Sequence, residues 1–199
     1  MTSCTTTNDA AIRSALHRKH LRSAAAHPNT LIIDELGLAH AKSRIDVAVI
    51  NGCIHGYEIK SARDNLNRLE SQISIYRQTL QLLTIVADSK HIYDVLDFVP
   101  DWCGVLEVRL GPRAGIHFHV VRPAQPNPDV DPVMMAHLLW HSEVSEYLSL
   151  KGYPPKLLRG SRLQLYNLLC EILSPKEITA LIRQFMSNRP VWRDHLRPL

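Results

Sequence analysis

Two short β-rich segments joined by a turn constrain this chain more than any other feature. Residues 44–50 (RIDVAVI) and 53–60 (CIHGYEIK) are rich in β-branched residues, and the Asn51-Gly52 pair between them is a strong hairpin signal. Each segment carries one acid among apolar neighbours, Asp46 and Glu58. A carboxylate buried in a strand costs free energy unless it is paired or bound. The hairpin therefore predicts either ion pairs with Arg44, Lys60 or Arg63 at a sheet edge, or a functional site.

The length of the hairpin loop decides whether the two acids can cooperate. Side chains alternate between the faces of a strand, so a two-residue loop would put the acids on opposite faces. A three-residue loop of residues 50–52 pairs Val49 with Cys53 and places Asp46 on the same face as Glu58, diagonal to it. A site shared by both acids therefore predicts the three-residue loop or an equivalent bulge.

The remaining elements predict an α/β chain with a helical end. The patterning predicts helices at 10–26, 65–83 and 91–99, and strands at 31–38, 82–87, 102–110 and 116–121. The strand at 82–87 follows a helix and is expected to pair in parallel. Four prolines within residues 123–132 predict an extended linker. Further helices are expected at 133–150, 161–173 and 175–189, the last one capped by Ser174 and Glu177. The domains are thus residues 1–122 and 133–199, joined by 123–132.

Composition narrows the classes of partner and compartment. Hydrophobic residues make up 45% of the 199 positions, which is enough for a packed core. No apolar run suits a bilayer, and the polar start lacks a signal peptide, so a soluble cytoplasmic protein is expected. The four scattered cysteines predict neither a disulfide framework nor a zinc ribbon. The net charge of +4 lies in residues 133–199, which suits a polyanionic partner.

The order of polar residues resembles the PD-(D/E)XK nuclease superfamily. Asp46, a hairpin and then Glu58-Ile59-Lys60-Ser61 resemble its core motif, although Ile45 stands where the superfamily name has proline. Glu35 falls where an additional metal-binding glutamate often occurs in that superfamily. Gln72 and Tyr76 look like the Gln-x-x-x-Tyr helix motif of its RecB-like branch. The resemblance extends over residues 30–110, and the stretch from 34 to 88 is similar to a group of bacterial proteins of this type.

The resemblance implies a fold and a chemistry. The fold would be a restriction-endonuclease-like core, a central mixed sheet flanked by helices, followed by a small all-α region. The activity would be Mg²⁺- or Mn²⁺-dependent hydrolysis of phosphodiesters, with DNA favoured over RNA. The ligands of the metal would come from Glu35, Asp46, Glu58 and the Ile59 carbonyl.

The remaining roles follow from the same resemblance. Lys60 would complete the catalytic set by orienting the attacking water and offsetting charge on the phosphate. Supporting or substrate-binding roles would fall to Arg44, Ser61, Arg63, Gln72 and Tyr76, with Arg68 as a further steering cation.

Other readings of the sequence stay open. The chain could be a non-catalytic nucleic-acid or protein-binding module on a nuclease fold, or a ribonuclease acting as a toxin or defence effector. The helical C-terminal region is the natural surface for a homodimer or a protein partner. Two histidine pairs have metal-like spacing, but neither has an evident third ligand: 117 with 119, and 137 with 141. Basic and aromatic residues end the chain and fit either a docked terminus or a nucleic-acid contact: Arg189, Trp192, Arg193 and Arg197.

Overall fold

The computed structural model describes residues 6–189, and a six-stranded mixed sheet lies at its centre. The strands lie side by side in chain order. They are β1 (Leu31–Leu38), β2 (Ser43–Ile50), β3 (Ile54–Lys60), β4 (Leu82–Asp88), β5 (Gly104–Leu110) and β6 (Ile116–Arg122). The β3–β4 and β4–β5 pairs are parallel and the other three are antiparallel. The expected α/β class and the parallel pairing of β4 are confirmed.

Helices cover both faces of this sheet. One face is covered by the N-terminal helices, which are α1 (Asp9–Ala15), a π-helical turn (Leu16–His20) and α2 (Arg22–Ala25). The sheet is crossed by α3 (Leu69–Thr79) and, after a 3₁₀ turn (Ser89–His91), by α4 (Ile92–Phe98). The C-terminal helices are α5 (Pro132–Ala136), α6 (His141–Leu150), α7 (Pro155–Leu158), α8 (Arg162–Ile172) and α9 (Pro175–Asn188). The expected capping box at Ser174 and Glu177 is present at α9.

Two predicted helices have the wrong extent. The single helix expected at 133–150 is two helices, because α5 ends at Ala136 and α6 begins again after Trp140, whose backbone is extended. Glu143 accepts a hydrogen bond from the Trp140 N–H and so caps the restart. The helix expected at 65–83 covers only Leu69–Thr79, because Leu80 turns extended and its side chain is fully buried ahead of β4.

The hairpin loop has the predicted length but different residues. Ile50 pairs with Ile54, so the loop is Asn51, Gly52 and Cys53, and the predicted pairing of Val49 with Cys53 is wrong. Both isoleucines are fully buried in one cluster, which favours this register over one that places Ile50 in the turn. The pairing in this register ends at Val47 and Tyr57, one residue before Asp46 and Glu58 would meet.

The hydrophobic core has two layers, one on each face of the sheet. One layer includes Ile12, Leu16, Val47 and Ile59, beneath α1. The other joins strand residues to α3 and to the C-terminal helices, with Tyr76 and Tyr166 among its largest buried side chains. The C-terminal helices therefore bury their apolar faces against the same layer as the sheet. Within residues 6–189, no helix combines the length and apolar character needed to cross a bilayer.

The proline-rich segment 123–132 lies against the sheet. The Gln125 N–H donates to the Trp102 carbonyl at 2.8 Å, and the Asn127 N–H donates to the Gln81 carbonyl at 2.9 Å. The Asn127 side chain also donates to the Leu80 carbonyl at 2.7 Å. The segment thus fastens the end of α3 and the start of β4 to the helices that follow. The boundaries at 122 and 133 stay a prediction.

Candidate active site

The candidate site forms where strands β1 and β2 bend together. Glu35 has a left-handed backbone (φ 56°) and interrupts the β1–β2 pairing opposite Asp46. Along β2 the alternation of faces breaks at the same place, because Ile45 and Ala48 both enter the layer beneath α3. Left-handed backbone is strained for a residue with a side chain and occurs preferentially at functional sites. The bend turns the Asp46 side chain out of its regular position in the strand.

Asp46 takes the place of a strand partner for β3. The β2–β3 pairing is last seen at Val47 and Tyr57, and beyond it the Asp46 carboxylate accepts the Ile59 N–H at 2.6 Å. On its other side the same carboxylate meets Arg13 of α1, 3.1 Å away. The two strands thus separate at the acid, and Asp46 bridges the gap between β3 and the helix.

Glu58 and Lys60 lie on the opposite side of this gap and face α3. Their side chains are 4% and 9% exposed, and the Lys60 Nζ donates to a Glu58 oxygen at 2.7 Å. Gln72 binds both of them: its amide nitrogen donates to Glu58 at 2.7 Å, and its amide oxygen accepts from Lys60 at 3.0 Å. The Tyr76 hydroxyl oxygen lies 2.7 Å from the second Glu58 oxygen. These four side chains form a closed buried network, called here the Glu58 network.

The predicted Gln-x-x-x-Tyr spacing accounts for the α3 part of this network. Residues four apart share one face of a helix, so Gln72 and Tyr76 reach β3 together. Burial, and then the charge of Glu58, raise the pKa of Tyr76, so its hydroxyl stays protonated and can donate. Taking a carboxylate and an ammonium out of water costs free energy, and the amide of Gln72 and the hydroxyl of Tyr76 offset part of that cost by hydrogen bonding to them.

Arg13 joins the carboxylates on the other side of the gap. Its guanidinium contacts Glu35 at 2.5 Å and Asp46 at 3.1 Å, and it also donates to the Asp46 carbonyl at 3.0 Å. Asp9, one turn earlier on α1, holds the same group at 3.2 Å. Arg13 thus supplies positive charge for three acids, although the sequence analysis did not assign it to the site. Its i,i+4 spacing from Asp9 was the only available signal.

The acids of the site are electrostatically coupled. Burial, and then the negative charge of Glu58, raise the pKa of Asp46 to about 7, against the lowering effects of the Ile59 N–H and Arg13. The charge of Glu58 thus opposes ionisation of Asp46, and a divalent cation bound at Asp46 would relieve that repulsion.

The donor atoms suit magnesium or manganese in type. Carboxylate oxygens of Asp46 and Glu58, with a backbone carbonyl such as that of Ile59, are the hard ligands that these ions prefer. Among residues 6–189 no three acid, histidine or cysteine side chains are gathered closely enough to form a ready-made metal cage. Glu35 and Asp46 would have to exchange Arg13 for the ion, and Glu58 would have to turn partly from its network.

Three other residues that the sequence predicts as supporting ones, Arg44, Ser61 and Arg63, differ in their distance from the site and in their exposure. Arg44 lies beside it: its guanidinium is 3.6 Å from Glu35 and 64% exposed. Ser61 is buried at the end of β3, where its N–H and hydroxyl both donate to Asp64. Arg63 follows in the exposed turn. The basic aromatic end of the chain, including Trp192, Arg193 and Arg197, lies outside the described residues, whereas Arg189 is buried against Glu143.

The sequence and the structure of this protein are similar to those of known proteins. One curated relative, protein cII of Enterobacteria phage P4, is 28% identical over 137 residues, which are 69% of this chain. The chain spans about half the length of that relative, because the match covers 50% of it. A solved structure, a protein of unknown function from Silicibacter pomeroyi, is 19% identical with a TM-score of 0.45, covering 73% of this chain and 93% of its own. The family described as bacteriophage P4 protein cII matches residues 3–196, nearly the whole chain, and this protein belongs to that family.

Proposed function

We propose that this protein is a metal-dependent nuclease that hydrolyses phosphodiester bonds, most readily those of DNA. The observation that carries the proposal is the Glu58 network beside the gap at Asp46. The protein would be as stable or more stable with apolar side chains in place of the buried Lys60 and Glu58. The presence of this pair is therefore better explained by function than by stability. Two coupled acids, a positioned ammonium and a separated strand pair are the parts that metal-assisted hydrolysis of a phosphate ester requires.

Each residue would have a distinct task in this reaction. Asp46, Glu58 and the Ile59 carbonyl would hold Mg²⁺ or Mn²⁺, assisted by Glu35, and the ion would supply an activated water and neutralise phosphate charge. Lys60 would place its ammonium against the attacking water and the scissile phosphate. Gln72 and Tyr76 would fix the orientation of Glu58 and Lys60, and Arg44 would attract the phosphate backbone.

Cleavage assays test this proposal and identify the substrate. Supercoiled plasmid, linear duplex, single-stranded DNA and RNA would be incubated with the wild type in Mg²⁺ or Mn²⁺. Glu58→Ala and Lys60→Ala should abolish cutting, because they remove a metal ligand and the ammonium. Lys176→Ala, at an exposed position on α9, is the matched control and should cut like the wild type. Degradation of RNA rather than DNA would favour the toxin or defence reading.

The position of Arg13 supports a second candidate function, a binding module that needs no metal. Its guanidinium already neutralises Glu35 and Asp46, which is what a decayed site would require. The two candidates differ in their response to Arg13→Gln. A nuclease should then gain more thermal stabilisation from Mn²⁺ than the wild type does, because the ion no longer competes with the guanidinium.

Two control variants complete this comparison. Arg18→Gln, from the adjoining π-helical turn, should keep the wild-type response to Mn²⁺, since among residues 6–189 the Arg18 guanidinium hydrogen-bonds the Ser14 carbonyl and no acid of the site. Asp46→Ala should lose the response. A binding module would show no Mn²⁺-dependent stabilisation in any of these proteins.

A further inference from the structure

A cleft of about 340 Å³ lies between the β1–β2 turn and the C-terminal helices. Its wall combines aromatic rings and cations, an unusual mixture for a simple packing defect. The residues that matter here are His40, His137, Trp140, Arg162, Tyr166 and Arg189. Its volume is at the lower end of the range of small-molecule sites and is sufficient for one planar ring system with its sugar.

The rings in the cleft offer stacking surfaces. His40 and His137 stack on each other at 4.3 Å between centroids, and Tyr166 follows at 5.1 Å from His137. Trp140 is half exposed, and the Arg189 guanidinium covers one side of its ring at 4.2 Å. A large apolar ring that is supported on one side and open to solvent is a platform for another flat group.

A polar atom in the cleft is left without a partner. The Nδ1 atom of His137 is buried, and within the described part of the chain it has no hydrogen-bonding neighbour. A buried ring nitrogen without a partner costs free energy, so the His137 ring is held in the wall of the cleft at some cost in stability. Arg162 at the same cleft is exposed, and no acid of residues 6–189 lies within 4 Å of its guanidinium.

The turn that supplies His40 is strained. Ala39, His40 and Ala41 are consecutive residues with φ of 49°, 57° and 64°. Left-handed backbone costs roughly 1–2 kcal/mol per non-glycine residue, so three in succession persist only where other contacts hold them. The stack of His40 on His137 is one contact that holds this turn beside the cleft.

A second cleft leads from this one toward the candidate active site. Its volume is about 480 Å³, and both clefts border Ala41. Its wall includes Glu35 and Gln72 of the candidate site, together with the cations Lys42, Arg44 and Arg68. In the described residues Lys42 and Arg68 have no acid within 4 Å, and all three cations are exposed. These three exposed cations suit a phosphate backbone.

We propose that the two clefts together hold an unpaired stretch of nucleic acid. The cationic cleft would bind phosphates next to the candidate active site, and the aromatic cleft would take an unstacked base on Trp140. This assignment deepens the proposed nuclease function, and rests on it for the role of the neighbouring acids. Bases in a duplex are stacked on each other, so only an unpaired nucleotide can offer its face to a side chain. The substrate class is therefore single-stranded nucleic acid or a duplex with a single-stranded end.

Binding measurements test this inference without requiring catalysis. Fluorescence anisotropy of a labelled single-stranded oligonucleotide and of a blunt duplex of equal length would be recorded in EDTA with full-length protein. The wild type should bind the single strand more tightly. Trp140→Ala should weaken that binding by about tenfold or more, the usual effect of losing one base–aromatic stack. Arg162→Gln, at an exposed position that leaves the fold intact, should weaken it as well and should flatten its salt dependence.

Matched controls separate the cleft from the rest of the surface. Tyr93→Ala removes a more exposed ring from α4, and Arg113→Gln removes an exposed cation from the β5–β6 turn; both should bind like the wild type. Unchanged binding by Trp140→Ala and Arg162→Gln, equal affinity of the wild type for duplex, or no binding at all would overturn the inference. The proposed nuclease fails separately, if the wild type binds as predicted but cleaves nothing.

Discussion

At the scale of single residues, Tyr76 offers the simplest measurement of how much one hydrogen bond of the Glu58 network contributes to stability. Its oxygen lies 2.7 Å from Glu58 and 2.8 Å from the Arg44 carbonyl, and the ring is fully buried. Tyr76→Phe keeps the ring and removes only the hydroxyl. We expect a loss of about 1–2 kcal/mol in the free energy of unfolding, because a buried acceptor loses its donor.

Urea denaturation of Tyr76→Phe and of Tyr93→Phe would measure this difference. Tyr93 is 81% exposed, so its variant should stay within about 0.5 kcal/mol of the wild type. Equal stability of the two variants would mean that the hydroxyl of Tyr76 does not hold Glu58.

The pH dependence of stability should report on His55. Burial, and then the charge of His20, lower the pKa of His55 to about 4 from 6.5, and its ring bonds Thr84 at 2.8 Å. Between these values the unfolded chain binds a proton that the folded chain does not, so stability is full above pH 6.5 and falls as the pH drops. The loss attributable to His55 should be about 3 kcal/mol by pH 4.

Chemical denaturation between pH 7.5 and pH 4 would test this dependence. His55→Gln should have a shallower slope than the wild type, whereas the exposed His27→Gln should keep the wild-type slope. Parallel curves for all three proteins would contradict the account of His55.

Individual residues also mark the limit of prediction from sequence. The sequence predicts Glu58 and Lys60 as catalytic residues and Gln72 and Tyr76 as supporting ones. The structure brings the four together because strand and helix periodicities both act over a few residues. Arg13 was not predicted as part of the site. Its contact with Asp46 spans 33 positions and depends on how α1 lies on the sheet, which local patterning does not encode.

At the scale of elements, the packing of β3 against the end of α3 depends on Gly56. A methyl group there would overlap the Leu80 Cδ1 atom and lie 3.0 Å from Ile45 Cγ1. Gly56→Ala should therefore cost about 1–3 kcal/mol through overpacking. Gly37→Ala, in β1, meets only Ala41 atoms at 3.7 Å and should change stability little. Denaturant midpoints of the two variants would test this, and equal values would show that β3 and Leu80 are not in close contact.

The elements were predicted better than their ends. All six strands were anticipated, because alternation and β-branched content persist over several residues. The break between α5 and α6 was not predicted. Glu143, which caps α6, is held by Arg189 at 2.6 Å, and this contact between distant residues has no local sequence signal. The hairpin register differed for a similar reason: burial of Ile50 and Ile54 in one cluster keeps Ile50 in the strand, so the three-residue loop is 51–53 and not 50–52.

At the scale of the whole molecule, the C-terminal helices should be necessary for the sheet to fold. They share one buried layer with it, and Thr179 of α9 donates to the Gln81 side chain at 3.0 Å, which in turn accepts the Ile54 N–H. A chain ending at residue 132 would expose that layer, so we expect it to aggregate or to unfold without a cooperative transition. Circular dichroism during heating would show this. A sharp transition in the shortened chain would instead establish residues 1–132 as an independent domain.

We propose metal-dependent phosphodiester hydrolysis at Asp46 and the Glu58 network as the function of this protein. The most direct measurement is the cleavage rate of a labelled single-stranded DNA in Mn²⁺, in EDTA and after Mn²⁺ is restored, for the wild type and for Glu58→Gln. Glutamine keeps the shape of the side chain but removes its charge, so a folded variant can be compared directly. We predict that the wild type cuts this DNA, stops in EDTA and cuts again when Mn²⁺ is restored. Glu58→Gln should cut at least about a hundredfold more slowly. Equal rates in the two proteins, or cutting that persists in EDTA, would contradict this proposal.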